Sequence, residues 1–124
     1  MADENDVRRI AATLPETEVD VDGAGQLKVT FRGKLLAWTW LERPDPKGPR
    51  VPNPSVLALR VAGQGEKEEL LASEPRIFFT EPHYDGYPAV LARLDAIDAD
   101  ELGELITDAW RLRAPKRMQQ EHGL

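Results

Sequence analysis

The chain has no cysteine, so it can form no disulfide and offers no thiolate to a metal or a substrate. Histidine is almost as scarce, and His83 and His122 are too few for a dedicated zinc site. Glycine is present but never spaced to cradle a phosphate. Gly23-Ala24-Gly25 and Gly63-Gln64-Gly65 each lack a third glycine at the needed position, and the second leads straight into Glu66, Glu68 and Glu69. There is no Gly-x-Ser-x-Gly elbow. Glu81 and Asp85 are near enough in sequence for acid–base work, but among 22 acidic residues such pairs arise by chance. No apolar run approaches the ~20 residues of a membrane span, and the start, Met1 to Asp6, is acidic where a signal peptide would be basic. These absences predict a cytoplasmic, non-enzymatic protein with no cofactor, no metal and no membrane contact.

What is present fits one domain over residues 1–124, a length able to bury a real core. The net charge is -6, but the signs are segregated. Residues 25–60 hold seven bases and two acids, a net +5, whereas residues 61–110 hold three bases and twelve acids, a net -9. Exposed charges more than ~10 Å apart are largely screened at 0.1 M salt, so the cationic segment can act locally inside an acidic chain.

Periodicity supplies the elements. Val7, Ile10, Ala11 and Leu14 mark one face of a helix from Asp3 to Thr13, which Pro15 stops. Leu27 to Arg32 alternates cleanly, with Leu27, Val29 and Phe31 inward, and Gly33 turns the chain into a second strand, Lys34 to Leu41. Strict alternation there places Leu36, Trp38 and Trp40 on one face. Val19 and Val21 offer a further short strand. Glu42 to Ser55, with five prolines, reads as a stiff extended loop that is neither helix nor central strand. Val56 to Val61, Ile77 to Thr80 and Ala89 to Leu94 complete the strands, with a short acidic helix at Glu66 to Ser73. Asp98 caps a last helix striped by Leu102, Leu105, Ile106 and Ala109. The order predicts an α+β fold, an antiparallel sheet of about five strands with the N- and C-terminal helices packed on one face.

The densest local signal is Phe79 to Leu91, where Pro82-His83-Tyr84-Asp85-Gly86-Tyr87-Pro88 joins two apolar runs. Together with Arg93-Leu94, Glu101-Leu102, Ala109-Trp110-Arg111, Ala114 to Arg117 and the loop Arg50 to Pro54, this stretch resembles the MmcQ/YjbR family. The likeness extends over nearly the whole chain. It implies a CyaY-like, that is frataxin-like, α+β domain, and DNA binding through a pair of sheet wings. It brings no catalytic residues with it.

Two candidate sites follow. Lys28, Arg32 and Lys34 crowd the first hairpin, and Arg43, Lys47 and Arg50 ride the proline-rich loop; together they form a candidate phosphate-contacting surface for weak, non-specific DNA binding. Outward bases also simply solvate an exposed sheet face. Arg111, Arg113, Lys116 and Arg117 are accounted for by the negative end of the last helix. The alternative site is His83, Tyr84 and Tyr87, whose rings and polar tips suit a small ligand or a protein partner, unless they merely plug the end of the sheet. Trp38 and Trp40 serve either core packing or base stacking.

Overall fold

The computed structural model describes residues Met1–Leu124. Helix α1 (Glu4–Ala11) starts at Asp3, which accepts from the amides of Asn5 and Asp6, while Asp6 accepts from the Asp3 amide at 3.0 Å. This reciprocal cap satisfies donors a helix start leaves open. The helix ends two residues earlier than expected, where the Thr13 hydroxyl donates to the Ile10 carbonyl. Then follow β1 (Thr17–Val21), β2 (Leu27–Phe31), β3 (Lys34–Glu42), β4 (Val51–Arg60), α2 (Gln64–Ser73), β5 (Phe78–Phe79), β6 (Ala89–Arg93), α3 (Ala99–Arg113) and α4 (Lys116–Glu121). A 3₁₀ turn, Pro82–Tyr84, lies between β5 and β6.

The fold is α+β, with six antiparallel strands in the order β1-β2-β3-β4-β6-β5, one more than expected. The extra strand is β1, which contains Val19 and Val21 and pairs along the whole of β2. Between β2 and β3 the turn is Arg32-Gly33, both with positive φ (49° and 82°), the backbone a two-residue hairpin demands. No helix is long and apolar enough to cross a membrane.

One sheet face carries the main core. Val7, Ile10 and Ala11 of α1 and Leu102, Ile106 and Trp110 of α3 cover Leu27, Val29, Phe31, Leu57 and Leu59. The two helices approach closely at Gly103, where a β-carbon would lie 3.8 Å from the Ile10 side chain. The opposite face has its own smaller cluster of Trp38, Val56, Ala58, Tyr84, Ala89 and Leu91, flanked by Leu35, Trp40 and Phe79.

Two expectations are corrected here. Leu36 does not share a face with Trp38 and Trp40. The β2–β3 register slips between Val29 and Thr30, so Leu36 and Ala37 both enter the main core while Leu35, Trp38 and Trp40 face the other way. A bulge breaks the period of two that alternation assumes. The proline-rich stretch is also only partly a loop, because β4 starts at Val51 and contains Pro52 and Pro54. That half of β4 pairs with β3 alone, since pairing with β6 begins at Val56. A proline needs no partner on a side that has none.

Glu101 in the first turn of α3 joins Glu74 at the end of α2. The hydrogen bond that protonated Glu101 donates to Glu74, then burial, then nearby acids push the Glu101 carboxyl up to about 7. Its folded pKa therefore exceeds the ordinary value of 4.5. The stabilisation is fully present below about pH 4.5 and is lost as pH rises through 7. Solvent screening at this half-exposed site limits the effect to about 1 kcal/mol. Urea midpoints at pH 5 and pH 8 should differ in the wild type, and Glu101→Gln should be the more stable protein at pH 8. Equal pH dependence in both proteins would remove the shared proton from the account.

Candidate functional site

The six bases of the first hairpin and proline-rich loop do not form one surface. Arg32 donates twice to Glu16, at 2.8 Å each, and both residues hold positive φ (49° and 54°). Arg50 donates to the Leu41 carbonyl at 2.8 Å and to Glu81 at 3.3 Å, and is largely covered. Lys28 stands opposite Trp38 on one side and Asp20 on the other. Lys34, Arg43 and Lys47 are exposed and form no ion pair. Lys34 opens β3 and Arg43 follows its end, so nine residues of strand, about 30 Å, separate them. Only Arg43 and Lys47 remain as near, unneutralised neighbours on the loop.

His83, Tyr84 and Tyr87, by contrast, are brought together. Pro82 opens the 3₁₀ turn, the Tyr84 amide donates to the Glu81 carbonyl, and Gly86 takes φ 75°, which returns the chain to β6. The turn lies across the second face of the sheet. Tyr84 is buried against Trp38, whose indole N–H donates to the phenol oxygen at 3.0 Å. Burial pushes the Tyr84 phenol above its ordinary range, so it stays neutral. Tyr87 stands edge-on to Trp38 at 6.3 Å and to Tyr84 at 6.0 Å between centroids, and is 39% exposed. His83 lies at the lip, 5.7 Å from the Tyr84 ring.

Two groups fix this turn. The ammonium of Lys67 on α2, only 4% exposed, donates to the carbonyls of Tyr84 at 2.6 Å and Tyr87 at 3.1 Å. Glu81 receives the Trp40 indole N–H at 2.8 Å on one oxygen and Arg50 on the other, which ties the proline-rich loop to the turn. Between turn and sheet is an open cleft of about 500 Å³, lined by Leu35, Trp38, His83, Tyr84, Asp85, Gly86 and Tyr87. That volume lies within the range of small-ligand sites. Its walls offer ring faces, one carboxylate and an imidazole.

Sequence reasoning did not single out Lys67 and Glu81 as supports. The signal was slight: Lys67 is the one base in the acidic helix α2, a position where a solvated charge is the usual reading. Trp38 takes the core-packing role, and Tyr84 is what covers it.

A family model, YjbR, matches residues 12–112 and so takes in the sheet, the aromatic turn and most of α3. The chain belongs to the YjbR family. Uncharacterised proteins of Mycobacterium tuberculosis and Mycobacterium bovis are 43% identical to this YjbR domain over 131 aligned positions, covering 97% of the chain and 95% of each relative. A crystal structure of a Deinococcus radiodurans protein with a DUF419 domain shares its fold at a TM-score of 0.67 and 22% identity, covering 100% of this chain and 90% of that one.

Proposed function

We propose that this YjbR domain is a non-enzymatic binding protein whose site is the cleft between the Pro82–Tyr87 turn and the second face of the sheet. One observation carries the reading: a buried lysine holds the turn by two of its carbonyls, so the cleft exists before any ligand arrives. Preorganised walls lower the entropy cost of binding. Burying an ammonium is otherwise unfavourable by several kcal/mol. Tyr87, half-exposed against two buried rings, is the contact residue, and His83 and Asp85 frame the entrance.

A fragment screen followed by amide chemical shifts tests this. Hits should move the signals of Asp85, Gly86 and Tyr87, and Tyr87→Ala should weaken them at least tenfold. Hits that ignore Tyr87→Ala, or no hits at all, would overturn the assignment.

DNA binding, which the family resemblance implies, is the second reading, favoured by exposed Arg43 and Lys47 on one stiff loop. Two unneutralised bases support only weak, salt-sensitive attraction to phosphates, opposed by a net charge of -6. Reversing Arg43 and Lys47 to Glu should abolish a shift of labelled duplex at low salt. An unshifted duplex with the wild-type protein would dispose of it. A CyaY-like kinship belongs with this reading and is supported by the terminal helices on one side of the sheet.

A further inference from the structure

We propose that the cleft recognises an organic cation, an alkylated ammonium group; this rests on the binding site assigned above. The rings of Trp38, Tyr84 and Tyr87 form a near-equilateral triangle, with centroids 6.5, 6.3 and 6.0 Å apart. Their planes differ, 19° between Trp38 and Tyr84 but 80° between Tyr84 and Tyr87, so two walls run nearly parallel and the third crosses them. A point about 3 Å above the triangle lies within about 5 Å of all three centroids, inside the ~6 Å reach of a cation–π contact. Ring faces carry negative potential; Tyr87, 39% exposed, offers the accessible ring, and Trp38 and Tyr84, 8% and 7% exposed, back it from beneath.

The charge of the lining agrees. Asp85 contributes a carboxylate, and no lysine or arginine is among the residues that line the cleft. An anion would meet that carboxylate with nothing to balance it. A neutral apolar group would gain burial but leave Asp85 unused. Tyr87 already holds one cation at the edge of the cleft. The Arg60 guanidinium sits 5.3 Å from the Tyr87 centroid and donates to its hydroxyl at 3.1 Å. Outside the cleft, the Arg93 guanidinium stacks over the Phe79 ring at 4.3 Å. Leu35 supplies an apolar floor for the methyl groups of an alkylated ammonium.

The cation has two plausible sources in chemistry, a small quaternary metabolite or the side chain of a methylated lysine, and the test separates them. Tetramethylammonium, an acetylated trimethyllysine amide, a trimethyllysine hexapeptide, the neutral 3,3-dimethylbutyl isostere and acetate are titrated separately into the full chain. Amide shifts of Tyr84 to Tyr87 are followed throughout. The cations should bind at least tenfold more tightly than the isostere, and acetate should not bind. Tyr87→Ala and Asp85→Asn should each weaken the cations about tenfold while leaving the melting temperature within a few degrees. Asp85 is exposed and its side chain makes no structural hydrogen bond, so that variant keeps the test valid if Tyr87→Ala unfolds. Tighter binding of the hexapeptide than of the amide assigns a protein source, and equal binding a metabolite. An isostere that binds as well as the cations overturns cation recognition and leaves the cleft as an apolar site. Fragments that bind here only when neutral or anionic do the same. No ligand of any charge at these amides removes the binding site itself.

Discussion

Replacing Trp110 with alanine should cost about 4 kcal/mol, the upper part of the range for deleting a buried aromatic side chain. Trp110 is fully buried on α3, packs edge-on to Phe31 at 6.1 Å and donates its indole N–H to the Pro15 carbonyl at 3.0 Å. It therefore joins three parts of the chain: the last long helix, β2, and the link between α1 and β1. The loss has three components: transfer of a large ring, a cavity between helix and sheet, and one hydrogen bond to a carbonyl that keeps the Thr17 hydroxyl as donor. Against a total of about 5–15 kcal/mol for a domain, the variant would be barely folded at 37 °C. Trp110→Phe keeps most of the ring and should lose about 1.5 kcal/mol, chiefly the hydrogen bond and the smaller volume. Urea denaturation followed by circular dichroism measures both. A loss below 1 kcal/mol for the alanine variant would mean that α3 does not depend on this anchor.

The second large effect is expected at Lys67. Its ammonium makes two hydrogen bonds to the turn, each worth roughly 1.5–3 kcal/mol for a charged donor, but its burial offsets part of that. The two carbonyls are not left empty without it, because Tyr84 still accepts from the Tyr87 amide and Tyr87 from the Ala89 amide. Lys67→Met, which keeps the stem, should therefore cost about 2 kcal/mol. Lys67→Ala adds a cavity and should cost about 3 kcal/mol or more. Both should increase hydrogen exchange at the amides of Tyr84 and Tyr87 more than in the main core, because the damage is local. Both should also weaken any ligand of the cleft. A methionine variant as stable as the wild type, with an unchanged turn, would show that the lysine is incidental and does not preform the cleft.

Much of the fold could be read from local chemistry. Alternation in Leu27 to Phe31 placed three side chains inward, and all three are buried. Asp98 does cap α3, accepting the Glu101 amide at 2.8 Å. Both signals act over a few residues, where propensity and hydrogen bonding decide without help from the rest of the chain. The errors came where a neighbouring strand intervened. The bulge at Leu36 depends on register with β2, and the strand through Pro52 and Pro54 depends on having one neighbour there instead of two. The short helix α4 had no apolar stripe to announce it; no residue in it is buried.

The candidate sites divide in the same way. The aromatic turn was visible because its residues are contiguous, and contiguous residues share a loop whatever the fold. The basic surface required distant residues to meet. β3 holds Lys34 and Arg43 at opposite ends, and carboxylates from elsewhere take up Arg32 and Arg50.

Sequence by itself determined the number of layers, the bounds of α1 and α2 and the start of α3 to within a few residues, and the chemistry gathered between Pro82 and Tyr87. Tertiary structure alone decided which face Trp38 occupies, which bases keep their charge free, and that an isolated lysine in an acidic helix reaches across to hold the turn. Local order follows from interactions a few residues apart, whereas these last three facts depend on contacts 16 to 46 residues apart along the chain, which no local pattern encodes.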